Sequence, residues 1–490
     1  MSIFIEPVAA KAILRNLPAP ELRAMAKKDE IPNEFGIALY HTRVKSRSAA
    51  FTEIVYNPNA EQTQRIRKAQ DYLSQTELVC VDRNIGQNPA NIFRARFYVT
   101  RDYARLAYMF TENFFPPSWD EEPELTVIGI PEWPERIIYV CPGHNVTYIL
   151  GSDYYGEAKM AALRHAMHIM RERRDGLGLH AGSKIYRLFV DGKLVEKGVL
   201  IFGLSGTGKT TITVNGHGLK PPEGVEVLQD DINMLTRDSS CYGTERNFYV
   251  KTDSLTQQPG LLKAATSPGA IAENVYVDEK GRIDFDNFSI STNGRCIVPR
   301  HLIPNAAASI DFPRTDVVFF ITRRYDLPPA GRLISAAQAA AFLMLGESTI
   351  TSADDPNRVG ESKRVVAFDP FIVDKPHKNG NRFYEILKAN PHIECYLLNT
   401  GEVGGVKIEP WVTLTIAEKI IRGRVRWEYD PLLGYDVATE IEGIDMARFN
   451  PYKLYGRAEF ERLMKRLKEE RKEYLRQFPG LYTEIIAAIG

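Results

Sequence analysis

The stretch GVLIFGLSGTGKTTITV, residues 198–214, restricts the fold more than any other part of the chain. VLIF is a short, fully apolar run of the kind that forms a buried strand, and TTITV can open a helix whose first N–H groups favour anions. Between them, Gly203, Leu204, Ser205, Gly206, Thr207, Gly208, Lys209, Thr210 and Thr211 carry the spacing Gly-x4-Gly-Lys-Thr. In that pattern backbone N–H groups cradle phosphate oxygens, the Lys meets the outer phosphates and the Thr hydroxyl reaches Mg²⁺. The competing reading is a glycine-rich turn without a ligand. The strand before it and the helix after it favour the phosphate loop.

At 490 residues the chain exceeds what one hydrophobic core serves, so two or three domains are expected. Lys plus Arg and Asp plus Glu both number 62, so no global field draws the protein to nucleic acid or to an anionic membrane. A small-molecule partner is the expectation. The five cysteines, Cys80, Cys141, Cys241, Cys296 and Cys395, contain no CxxC pair, which suits a reduced cytoplasmic interior where each is a small buried apolar residue. The start MSIFIEPVAAKAILRNL does not make a secretory signal, and no run approaches the roughly 20 apolar residues that cross a bilayer.

Strands are predicted at 77–85, 137–141, 316–322 and 394–400, and helices at 61–73, 101–114 and about 157–173. Residues 115–124, rich in proline and carboxylates, read as a loop. The charged stretch 456–478 reads as a solvated helix. This mixture predicts an α/β fold. VEVLQDD ends an apolar strand in Asp230 and Asp231, where a nucleotide's divalent cation finds oxygen ligands; a turn-capping Asp pair is the plainer alternative.

GLSGTGKTT followed by a strand and DD resembles the ATP-dependent phosphoenolpyruvate carboxykinase family. Further stretches are similar to that family in the same order: RVKSRSAAFTE (43–53), YYGEAKMA (154–161), GLHAGSKI (178–185), AENVYVDEKGRIDFDN (272–287), NGRCIVPRHLIPN (293–305), YDLPPAGRLISAAQA (325–339) and LLNTGEVGG (397–405). The resemblance implies an α/β carboxykinase fold with an amino-terminal substrate-binding domain, drawn at 1–175, and a phosphate-loop domain, drawn at 176–490 with a mobile lid near 323–340. It implies that oxaloacetate loses carbon dioxide and that the enolate takes the γ-phosphoryl of ATP to give phosphoenolpyruvate. Position by position, it implies Lys209 on the β- and γ-phosphates, Thr210 on the nucleotide metal, and His180 with Asp231, beside Asp230, on a second Mg²⁺ or Mn²⁺. Arg47 and Arg295 would hold the organic acid and the phosphoryl group, Tyr154 would line the carbon dioxide site, and Glu273 would sit close to the nucleotide.

These residue types suit the chemistry. A phosphoryl group in transfer spreads charge over three oxygens, and guanidinium forks and cations aimed at them stabilise it. A neutral imidazole with a carboxylate suits Mn²⁺ as well as Mg²⁺.

The chain departs from the family in four places. The second Lys of the family's Glu-Met-Lys-Lys run, a metal ligand, is Met160 here, whose thioether is a poor ligand for either ion; Lys159 points about 100° away around the helix and cannot simply take its place, and would do so only if the loss of one glycine in this motif shifts the local backbone. Ala181, Gly182, Ser183 and Lys184 replace Cys-Ser-Ala-Asn, with Lys184 a candidate for the lost charge. The base-contacting stretch is replaced by 348–371, where Arg358 or Arg364 could serve, and an insertion, VNGHGLKPPEG, follows the phosphate loop. Two other outcomes are therefore carried forward: a kinase for another small acid or alcohol on the same fold, and a catalytically silent nucleotide-binding protein. A monomer or small homo-oligomer is expected.

Overall fold

The computed structural model describes residues 8–253, 255–350, 358 and 360–489. Most of the first seven residues' expectation and part of the stretch 348–371, namely 351–357 and 359, lie outside them. The chain folds as mixed α/β in two compact units, each built from two separate lengths of chain. The first comprises Met1–Ile169 and Gly243–Ile310, the second Met170–Tyr242 and Asp311–Gly490. This differs from the boundary drawn at 175/176, because residues 243–310 return to the first unit. The reason is strand pairing: Ile271–Glu273 pairs in parallel with Ala38–Tyr40, and Arg295–Val298 pairs with Ile271–Glu273.

The first unit holds a seven-stranded mixed sheet whose middle strands are Glu77–Ile85, Phe93–Thr100, Leu125–Ile130 and Val146–Leu150. Leu125–Ile130 and Val146–Leu150 are buried along their whole length, which is why they read as nearly continuous apolar runs and not as an alternation. The smaller four-stranded sheet carries Phe248–Lys251, Arg295–Val298, Ile271–Glu273 and Ala38–Tyr40.

The second unit is ordered around three parallel strands, Lys193–Gly203, Thr315–Thr322 and Glu394–Asn399, in an eight-stranded sheet. Their carboxyl ends lie on one edge, where open α/β sheets bind ligands, and the phosphate-loop sequence leaves the first of them. The predicted strands and helices are found, with ends shifted by a few residues: Ala60–Ser74, Ala104–Asn113, Tyr155–Arg173 and Arg457–Arg476 are the helices. The last is not simply solvated, since Phe460, Met464, Leu467, Arg471 and Leu475 form a buried stripe. The segment expected as a mobile lid near 323–340 is built into the unit: Arg324, Asp326 and Leu327 are buried, Ala330–Arg332 is a strand of the large sheet, and Ala336–Leu345 is a buried helix. All five cysteines are free and buried. Among the described residues no helix is long and apolar enough to cross a membrane.

Candidate active site

The predicted residues divide between the units: Arg47, Tyr154, Lys159, Glu273 and Arg295 belong to the first, and the phosphate loop, His180, Asp230 and Asp231 to the second.

In the second unit the strand Lys193–Gly203 runs into a turn with Gly206 and Gly208 at φ 81° and 91°, conformations an L side chain resists. The helix Lys209–Val214 follows. The N–H groups of Ser205, Gly206 and Gly208 have no acceptor among the described residues, so the loop presents a row of open donors. Its carbonyls are engaged from outside: Arg323 donates to the Gly206 oxygen at 3.2 Å and Thr400 to the Thr207 oxygen at 2.9 Å. Both come from the ends of the neighbouring parallel strands, and neither was singled out by the sequence reading, since each is an ordinary residue after an apolar run. Lys209 Nζ donates to the backbone oxygen of Asp230 at 2.6 Å, and Thr210 Oγ1 to Asp230 Oδ2 at 3.1 Å. Asp230 Oδ1 is buried without a protein partner, a carboxylate oxygen suited to a cation.

The neighbouring pair is set by a short sheet. Ile232–Leu235 runs antiparallel to Leu177–His180, with Ile232 opposite His180, so Asp231 meets the imidazole. Asp231 Oδ1 lies 3.2 Å from His180 Nε2. His180 Nδ1 is 2.8 Å from the carbonyl of Phe368, an acceptor that fixes the proton on Nδ1 and leaves the Nε2 lone pair for a metal. Among the described residues no three His, Cys, Asp or Glu groups form a metal cluster. His180 and Asp231 thus bring one ring nitrogen and one carboxylate together at the end of this short sheet.

Lys184 does not join this pair: it is fully buried and donates to the carbonyls of Ile212 and Asn215 at 2.5 and 3.2 Å, at the far end of the phosphate-loop helix. Of the two candidates for base contact, Arg358 is paired with Glu361 at 2.9 Å and Arg364 with Glu347 at 2.9 Å.

In the first unit Tyr249, on the strand Phe248–Lys251, is the hub of the predicted residues. Its hydroxyl is 3.3 Å from the Tyr154 hydroxyl and 3.4 Å from Glu273 Oε2. Lys159 Nζ and Arg295 Cζ lie 4.8 and 5.5 Å from its ring centroid. Asn293 links Arg295, whose N–H it accepts at 3.0 Å, to the Tyr154 hydroxyl at 3.1 Å. As one of 23 tyrosines, Tyr249 carried no signal of its own. Lys159 is fully buried and its ammonium sits 3.0 Å from Glu245 Oε1, so Met160 is not replaced by a lysine with a free charge.

Glu273 is also fully buried; burial pushes its carboxyl up to about 7, against the pull of Arg105 at 3.6 Å. It accepts the N–H of Tyr155 at 3.1 Å. The loop carrying Arg47 is pinned from the start of the helix Tyr155–Arg173. Asp153 accepts the N–H groups of Arg43 and Val44, and Glu157 accepts that of Ser48 at 2.6 Å. Arg105 holds Asp153 in turn at 3.0 Å. The spacing of Asp153 and Glu157 around Tyr154 was the available signal for these two carboxylates.

A phosphoenolpyruvate carboxykinase family profile matches residues 12–447. A protein of Aeropyrum pernix named phosphoenolpyruvate carboxykinase (ATP) is 37% identical over 445 residues, 91% of this chain and 90% of that one. Proteins of the same name from a Methylobacterium species and from Staphylococcus haemolyticus are 26% and 25% identical, covering 84% and 78% of this chain and 78% and 74% of their own. With a match of this extent, the chain belongs to the ATP-dependent phosphoenolpyruvate carboxykinase family.

Proposed function

We propose that this protein converts oxaloacetate and ATP to phosphoenolpyruvate, carbon dioxide and ADP, in a metal-dependent reaction. The observation that carries the reading is the open phosphate loop, with Lys209 and Thr210 converging on Asp230 beside the His180–Asp231 pair, in a chain related along its length to enzymes of that name. The kinase alternative has no such support.

The loop N–H groups and Lys209 bind the triphosphate, Lys209 exchanging the Asp230 carbonyl for phosphate oxygens. Thr210 and Asp230 fit the metal carried with the nucleotide, and His180 and Asp231 fit a second; Mg²⁺ and Mn²⁺ both suit these donors. A bound metal supplies Lewis acidity, stabilising negative charge on oxygen. Arg47 and Arg295 bind and orient the organic acid through its carboxylates. Tyr154, held by Asn293, lines the place from which carbon dioxide departs. Lys159 and Glu273 hold Tyr249 and Tyr155 in register with that surface.

The test is phosphoenolpyruvate formation from oxaloacetate, ATP and Mn²⁺, run beside Lys209→Ala and Met160→Lys. Turnover by the wild type, a loss of at least about 100-fold in Lys209→Ala, and no gain in Met160→Lys are expected. ADP release that ignores oxaloacetate sinks the reading, and a wild type that is inert until Met160→Lys is made shows that the chain does another job.

A further inference from the structure

Lys184 is fully buried in the strand Gly182–Val190, and no carboxylate pairs with it among the described residues. A buried ammonium is costly unless hydrogen-bonded, so its partners indicate its use. All three that it bonds lie in one short length of chain. They are the carbonyl of Ile212 at 2.5 Å, the carbonyl of Asn215 at 3.2 Å and His217 Nε2 at 3.0 Å. The Tyr186 ring lies beneath it, its centroid 4.6 Å from Nζ, and the Tyr186 hydroxyl also reaches His217 Nε2 at 2.8 Å. His217 is secured on its other side, with Nδ1 3.2 Å from the Leu414 carbonyl and its backbone N–H on Asn215 Oδ1. Burial, followed by the Lys184 charge, pushes the imidazole down to about 3, so at neutral pH it serves as an acceptor.

Ile212 belongs to the helix Lys209–Val214, and Asn215 ends it. Six residues close too few internal hydrogen bonds to hold a helix by themselves, and the last carbonyls of any helix lack internal partners. We propose that Lys184 is a positioning residue for the nucleotide: by tying the carboxyl end of this helix, with His217 as its counterpart, it sets where Lys209 and Thr210 stand at the other end. Lys184 and the segment that follows the helix are then two parts of one device, since that segment supplies the Asn215 carbonyl and the His217 ring. The inference rests on the reading of the phosphate loop as the ATP site.

The experiment measures KM for ATP, KM for oxaloacetate, kcat and thermal stability in the full-length chain for wild type, Lys184→Met, His217→Ala and the double variant. Lys184→Met should raise KM for ATP about tenfold and leave KM for oxaloacetate within about twofold, because only the nucleotide's contacts shift. His217→Ala should move KM for ATP the same way by less, and the double variant should fall no further than Lys184→Met, the non-additivity of a shared tie. An unchanged KM for ATP, or a parallel rise for both substrates, overturns the proposal. If Lys184→Met does not fold, an unchanged KM for ATP in His217→Ala overturns it. A wild type that binds no ATP instead overturns the reading of the loop, and the proposal with it.

Discussion

Glu273 sits without solvent contact among Tyr155, Tyr249 and Arg105, and its carboxyl is raised from an ordinary 4.5 to about 7. Burial penalises only the charged carboxylate, so the group is harmless to the fold while protonated and costs stability once the folded protein must ionise it. Its effect is therefore most favourable below pH 4.5, and stability falls as pH rises through the window to about 7, by roughly 3 kcal/mol in all. Glu273→Gln should lose that slope, seen as denaturation midpoints that no longer decline between those pH values relative to wild type. A residue such as this was half legible: the stretch AENV marked Glu273, but its partner Arg105 comes from a helix far away in sequence. Arg323 and Tyr249 left no trace at all, since what recommends each is a neighbour that only the folded chain provides.

Gly182 lies opposite the phosphate-loop helix, and a Cβ there would come 2.2 Å from Thr213 Oγ1. Gly182→Ala should cost about 1–3 kcal/mol and raise KM for ATP, read by thermal denaturation and by steady-state kinetics. Element types and spans followed from periodicity because strands such as Ile137–Cys141 and helices such as Ala60–Ser74 are determined locally. The helix Arg457–Arg476 shows where local pattern fails. Its apolar stripe includes Arg471, which reads as solvent-facing in a charged sequence but is buried against Glu347 at 2.7 Å. Arg364 and Arg324 complete the cluster at 2.9 and 3.7 Å from the same carboxylate. Although burial alone would raise Glu347, the Arg471 and Arg324 charges hold it far below the usual carboxylate range. This contribution is present above the unfolded value near 4.5 and lost as pH falls below it. Glu347→Gln should destabilise by about 3–5 kcal/mol near neutral pH, with the deficit shrinking in acid, because it strands buried guanidinium groups. Equilibrium unfolding in urea at several pH values measures both.

For the molecule as a whole, the chain leaves the first unit near Ile169 and returns to it at Gly243. No local pattern announces such a return, because the pairing of Ala38–Tyr40 with Ile271–Glu273 joins residues more than 200 positions apart. Cutting the chain at 175/176 should therefore not release an autonomous domain. A fragment of residues 1–175 leaves Ala38–Tyr40 without its sheet partner and should melt without a cooperative transition in circular dichroism; a sharp transition would show that residues 243–310 are not needed for the unit to fold. The buried thiols allow the same architecture to be followed in time. Cys80, Cys141 and Cys296 report on one unit, Cys241 and Cys395 on the other, and each can meet an alkylating reagent only after its surroundings open. Pulses of such a reagent, resolved peptide by peptide in a mass spectrometer, thus turn five inert side chains into clocks that record which half of the protein lets go first.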